Sequence, residues 1–253
     1  MNYILFVSNK ESVNPYYIAA WKNVAASNEL NESNIKFKLF SGTEKTYIDS
    51  NDINKDCKGI LINWMGQNDD KRVLHMLRIA QEKGIPLVAN FTYGNNQIIN
   101  LLNNEIANQV ASYMNNGGMY NIKNLYLYLL NNLLNINVIY KNPKELAWSG
   151  IYIPEADNVL TKEAFYEKYY NPSLPTVAIN FPREHWAWGH TSYIDSLINE
   201  LRQLDCNVLP IFSHWNRDRE RNIPGFENNI LELGYFKGEF IPQVLINCLW
   251  FSL

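Results

Sequence analysis

The chain has 253 residues, 47% apolar and 19% charged, with a formal net charge of −3 at pH 7. That length fits one large or two small domains, and the composition is ordinary for a globular fold. The balanced charge argues against a nucleic-acid binder, which needs a clustered basic face, and no apolar run is long enough to span a bilayer as a helix.

The opening MNYILFVS lacks a basic region before its apolar run, so it reads as a buried first strand over residues 3–7 rather than a signal peptide. Asn14-Pro15 marks a helix start, and a helix is predicted over 16–26. Residues 35–40 alternate apolar and charged, as a half-exposed strand would. A strand over 59–64, a helix over 70–83 and a strand over 86–90 follow. In that helix Val73, Leu74, Leu77 and Ala80 are assigned to one face, and Gly84 to its stop. Strands alternating with helices predict a parallel, doubly wound first domain over 1–94.

The pattern then changes. Residues 97–114 and 119–134 read as two helices joined at Gly117-Gly118, a hairpin packed against a sheet edge within a helical segment over 95–140. The stretch 141–173, with Pro143, Pro154 and Pro172, reads as an irregular connector holding a short helix around 161–170.

A second α/β unit is predicted over 174–253. Its centre is a strand over 177–181, an aromatic loop, a helix over 192–204 with Ile194, Leu197, Ile198, Leu201 and Leu204 on its core face, and a strand over 208–212. Thr191 or Ser192 is placed to cap the helix, with Asp195 in its first turn. Such a crossover makes the strands parallel, so the loops after them share one edge. The first loop carries Arg183, Glu184, His185, Trp186, Trp188, Gly189 and His190; the second carries Ser213, His214 and Trp215. Open α/β sheets bind ligands at that carboxyl edge, and a helix start there offers backbone N–H groups to an anion. Residues 244–251 read as a last strand with no covering helix left in the chain. That implies either an edge strand or a unit incomplete at its C-terminal side. Three scattered cysteines, Cys57, Cys206 and Cys248, with no CxxC, suggest free thiols in a reducing, cytoplasmic setting.

The stretch PTVAINFPREHWAWGHTSYIDSLINELRQLDCNVLPIF resembles the signature region of the CobN-type cobaltochelatase large subunit and the magnesium chelatase H subunit. The matching positions are Phe181, Arg183, His185, Trp186, Gly189, Thr191, Asp195, Leu197, Asn207, Leu209, Pro210 and Phe212. GIYIPEA from Gly150, GGMYNIKNLYLYLLNNLL from Gly117, LINWMGQND and VLINCLWFSL are similar to further family segments, in order. His190 stands where the family usually has asparagine, and Ile153 where it has histidine. The resemblance implies two Rossmann-like units, joined by the helical hairpin and connector, forming the N-terminal part of a longer large subunit. It also implies tetrapyrrole binding for ATP-dependent insertion of a divalent metal, cobalt or magnesium. AAA+ ATPase-type subunits would be the partners, together with the remaining part of the large subunit. No GxxxxGK[ST] loop occurs here, so no ATP site is expected in this chain.

On that reading Glu184 and His185 would move pyrrole protons. His185 and His190 would meet the metal. Arg183, Trp186, Trp188, Gly189, His190, Thr191, His214 and Trp215 would hold the macrocycle, indoles as a flat wall and Arg183 with the helix start for its carboxylates. The alternative is a non-catalytic α/β binding or assembly module derived from the family.

Overall fold

The computed structural model describes residues 2–27, 30, 35–41, 48, 53–66, 69–91, 98–214, 217–219 and 223–249. Trp215 and residues 250–253, which include the end of the expected last strand, lie outside them. The chain divides into two compact units, Met1–Glu145 and Leu146–Leu253.

The first unit contains strands β1 Asn2–Ser8, β2 Ile35–Ser41, β3 Cys57–Trp64, β4 Leu87–Phe91 and β5 Ile98–Asn100. Its helices are α1 Asn14–Ser27, α2 Lys71–Lys83, α3 Asn104–Asn116 and α4 Gly118–Leu134. The sheet order is β2-β1-β3-β4-β5, parallel except for the antiparallel β4–β5 pair. β1, β3 and β4 are almost continuously buried, as strands covered on both faces must be. One face packs Tyr3, Leu5, Ile60 and Ile62 with Val73, Met76, Ile79 and Ala80 of α2.

Three expectations shift here. α2 buries Val73, Met76, Ile79 and Ala80, whereas Leu74 is exposed; its cap is as expected, with Asp70 accepting from Arg72 N and Gly84 left-handed at φ 62°. The helix expected from residue 97 begins at Asn104, because Ile98 and Ile99 pair with β4 and Asn103 accepts from Ile106 N as the cap. A short apolar run does not by itself separate helix from strand. The hairpin α3–α4 covers a sheet face rather than an edge: a Cβ on Gly59 in the interior strand β3 would lie 3.1 Å from Leu133 of α4. On this face Tyr126 of α4 meets Phe37 of β2 and Trp21 of α1, and its hydroxyl donates to the Tyr17 carbonyl.

The second unit contains β6 Gly150–Ile151, α5 Lys162–Lys168, β7 Thr176–Pro182, α6 Arg183–Ala187, α7 Ser192–Gln203, β8 Asn207–Ser213 and α8 Phe226–Gly234. A two-strand ribbon, β9 Tyr235–Phe236 and β10 Glu239–Phe240, leads to β11 Val244–Asn247. The sheet order is β11-β7-β8-β6, with β11, β7 and β8 parallel and β6 antiparallel. Among the described residues β11 is an edge strand. α7 packs Ile194 and Ile198 on the face of Ile179, Phe181, Val208 and Phe212. α8 packs Ile230 on the opposite face, with Ala178, Leu209 and Ile211. Fully burying one such side chain is worth about 1.5–3 kcal/mol. Leu204, expected in the α7 core stripe, is exposed because α7 has already ended at Gln203.

Two features of the connector and loop were not expected. β6 forms where the connector was read as irregular; a Cβ on Gly150 would collide with Val159 and lie 3.2 Å from the Phe212 ring, so only glycine allows this approach. The aromatic loop after β7 is the short helix α6, entered from Pro182 in extended conformation.

Candidate functional site

β7 and β8 run side by side in register from Thr176↔Asn207 to Pro182↔Ser213, so their carboxyl ends lie together. α6 starts immediately after β7. It closes with Gly189 in a left-handed conformation, φ 70°, whose N–H donates to the Trp186 carbonyl at 3.0 Å. The His190 N–H then returns to the His185 carbonyl at 2.7 Å. This is a glycine-terminated helix end, and it brings two histidines spaced by five residues to one place. The His185 and His190 ring centroids are 5.4 Å apart at a steep angle.

Tyr193, in the first turn of α7, completes a cluster of three rings. Its centroid is 5.5 Å from that of His185 and 6.2 Å from that of His190. Its hydroxyl lies 2.6 Å from His185 Nδ1. The sequence reading did not select Tyr193, although its place one turn into the helix after the histidines was visible. Burial lowers the His185 pKa first, the nearby His190 lowers it further, and Glu184 offsets part of this. His185 is therefore held toward its neutral form, which is the form that can accept a proton or ligate a metal. His190, Gly189 and Tyr193 are exposed.

The remaining selected residues go elsewhere. Arg183 is buried; its Nε donates to the Ala147 carbonyl at 2.8 Å and its Nη2 to the Leu146 carbonyl at 3.2 Å. Its guanidinium lies 4.2 Å from the centre of the Trp148 ring, and the His214 ring meets the same indole edge-on at 5.4 Å. This geometry makes Arg183 a clamp on the segment before β6. Trp186 stacks flat on Phe212, centroids 4.2 Å apart and planes 4° apart, and Trp188 is buried. Trp186 thus has one face against the core. Thr191 gives α7 no side-chain cap. Instead its hydroxyl lies 3.0 Å from the Tyr152 hydroxyl, which donates to Asp195 Oδ1 at 2.8 Å. Burial first, then the Asp195 carboxylate, raises the Tyr152 pKa, while Thr191 opposes them. Tyr152 comes from the GIYIPEA segment and ties it to α7. Tyr152 was legible only as part of that segment, without a role, and Trp148, two residues before the segment, was not singled out.

The structure therefore brings together His185, His190 and Gly189. Arg183 and His214 meet instead on Trp148, and Trp186 stacks on Phe212. Among the described residues no group of three or more His, Cys, Asp or Glu side chains is placed to hold a metal ion; the histidine pair supplies two groups, fewer than the three or four protein ligands of ordinary zinc-type sites. A separate concavity of about 490 Å³ lies at the opposite, amino end of the sheet, lined by Glu155, Lys168, Tyr169, Arg202 and Asn207 among others. Its charges are partly spent on each other, with Arg202 Nη1 2.6 Å from Glu155 Oε1.

Comparison with known proteins bears on the fold and the family. Two proteins of Methanocaldococcus jannaschii, the uncharacterized proteins MJ0908 and MJ1441, are each 28% identical to this chain over 155 residues. The matches cover 60% and 61% of this chain and 12% of the length of those relatives. The catalytic subunit of cobaltochelatase from Mycobacterium tuberculosis has a similar fold, with a TM-score of 0.60 at 15% identity. That match covers 97% of this chain and 18% of that one. No helix of the described residues is long and apolar enough to cross a membrane. The sequence pattern of the family described as CobN/Magnesium Chelatase matches residues 111–253, which span the whole second unit, and the chain belongs to that family.

Proposed function

We propose that the chain is a section of a chelatase large subunit, and that the carboxyl edge of its second unit contributes to tetrapyrrole binding for metal insertion. The observation that carries this reading is the His185–His190–Tyr193 cluster. It stands on an exposed edge inside the family-matched region, and burial biases one imidazole toward its neutral form. Insertion requires a group that accepts pyrrole N–H protons and a route for a partly dehydrated divalent ion, and a neutral imidazole serves both. The metal is cargo here, and His185 and His190 would be a partial ligand set on its way to the macrocycle. His190 and Gly189 offer the accessible surface, and the exposed start of α7 presents backbone N–H groups to a substrate carboxylate.

ATP hydrolysis would belong to AAA+ partner subunits, and the rest of the metal site to the remaining portion of the large subunit. The three free cysteines fit a reducing cytoplasm. Absorption titration of a metal-free tetrapyrrole tests the reading. A saturable band shift is expected, weakened about tenfold in His190→Ala, a loss of about 1.4 kcal/mol. A flat titration at high protein concentration would overturn it.

The missing third metal ligand among the described residues favours a second reading, a non-catalytic binding module for the larger assembly. In that case the band shift occurs, but adding both the ATPase subunits and the remaining portion of the large subunit to the chain yields no insertion.

A further inference from the structure

Five buried side-chain atoms among the described residues have no hydrogen-bond partner: Asn14 Oδ1, Asn90 Oδ1, Asn180 Oδ1, Ser213 Oγ and Asn229 Nδ2. Two of them, on Asn180 and Ser213, belong to one face of the second sheet, and a third, on Asn229, to the helix α8 that covers that face. Asn180 follows Ala178 by two residues on β7, and Ser213 follows Ile211 by two on β8, so both share the face that α8 covers. Asn247, paired in register with Asn180, follows Leu245 by two on β11 and joins them. α8 lays Phe226, Asn229, Ile230 and Leu233 toward that face, at helical spacing. Beyond its last residue, Gly234, whose carbonyl accepts from Ile241 N–H, the chain reaches the amino end of β7, where Gln243 N–H donates to the Thr176 carbonyl. The first turn of α8, with Asn229, therefore lies toward the carboxyl end, the end of Asn180, Ser213 and Asn247.

The place matters. From β7 the chain crosses through α7 to β8 on one side, then through α8 on the opposite face to β11 on the other side. The gap between β7 and β11 is thus the topological switch point, where open α/β sheets bind ligands. Asn180 Nδ2 donates to Asn247 Oδ1 across that gap at 3.1 Å, which leaves Asn180 Oδ1 uncommitted. Asn180, Ser213 and Asn229 are each at most 1% exposed. Asn247, on the edge strand beside Asn180, is partly exposed.

A buried asparagine in this unit need not be unsatisfied. Asn207, at the amino end of β8, donates to the Asn171 and Leu174 carbonyls and to Thr176 Oγ1, and accepts from Asn171 N–H. An unmet buried polar group costs about 1–3 kcal/mol, so three on this face and α8 call for a partner that supplies both donors and acceptors. The unmet atoms are one amide oxygen, one amide nitrogen and one hydroxyl, all uncharged. An ion placed among them would lack a compensating charge. A primary carboxamide fits the set: its oxygen accepts from Asn229 Nδ2 and the Ser213 hydroxyl, and its NH₂ donates to Asn180 Oδ1.

We propose that the α8 side of the β7–β11 switch point is a binding site for a primary carboxamide, formed by Asn180, Asn229, Asn247 and Ser213. It stands apart from the histidine cluster, which lies on α6, α7 and the turn between them, and its failure would leave the tetrapyrrole reading untouched. The test is to titrate the ¹⁵N-labelled chain with propionamide while observing the Asn180 and Asn229 side-chain amide resonances. Propionate and N,N-dimethylpropionamide serve as controls.

Saturable shifts are expected with propionamide alone, weakened about fivefold or more in Ser213→Ala and in Asn229→Leu, as loss of one hydrogen bond implies. If Asn229→Leu fails to fold, Ser213→Ala carries the test. No saturable shift, an equal response to all three probes, or unchanged binding in the folded variants would overturn the proposal. So would cross-relaxation from ordered water alone, with no response to propionamide.

Discussion

The two ends of the second sheet use the same residue types in opposite ways. At the amino end Asn207 spends both amide atoms on Asn171, Leu174 and Thr176, and Gln243 Oε1 accepts from Thr176 N–H at 2.6 Å. At the carboxyl end Asn180, Ser213 and Asn229 keep unmet atoms, and His185, His190 and Tyr193 form a partly exposed ring cluster. A polar group bonded on every side is part of the scaffold; one buried without a protein partner is open to a water or a ligand. The difference follows from topology. Every β-to-α turn of a parallel sheet opens at its carboxyl end, whereas the amino end only has to be closed.

The largest expected effect is at the closed end. Asn207→Ala removes four hydrogen bonds and leaves backbone carbonyls without their donor, and should destabilise by about 3 kcal/mol in chemical denaturation. A change under about 1 kcal/mol would erase the contrast between the ends. Tyr152→Phe should cost about 1 kcal/mol, since the Tyr152 hydroxyl donates to Asp195 Oδ1. Because the Tyr152 pKa is raised in the fold, its contribution is complete below about 10 and is lost as pH rises through the raised value. Alkaline melting curves of the variant should lack that part of the decline.

His185 works in the other sense. With its pKa lowered in the fold, its contribution is complete above about 6.5 and is lost as pH falls through the lowered value. His185→Gln should flatten the acid limb of stability below about 6.5, read from denaturation midpoints across pH; an unchanged limb would place the titration elsewhere. The smallest effect is expected from Ser213→Ala. It removes a fully buried hydroxyl that has no partner, so stability should stay within about 0.5 kcal/mol. A loss of about 2 kcal/mol would show that the hydroxyl is bonded as firmly as Asn207.

Much of the fold was legible because periodicity and caps are local. β1, β3, α2 and α7 follow from apolar runs, helical spacing, Asp70 and Gly84. β5 and β6 were not, since Ile98–Asn100 and Gly150–Ile151 become strands only through partners far along the chain. In the site, the sequence placed His185 and His190 near the same sheet end but not against each other; the left-handed turn at Gly189 does that. It offered Arg183 as an anion binder, whereas the fold turns it to the carbonyls of Leu146 and Ala147.

The sequence by itself determined the α/β class, the β7–α7–β8 crossover and the family, because spacing and rare residues in a fixed order carry these. The tertiary structure decided which polar atoms are spent and which are left over. That choice depends on partners 30 to 70 residues away, such as Asn171 for Asn207 and Asn247 for Asn180, brought close only when the sheet forms.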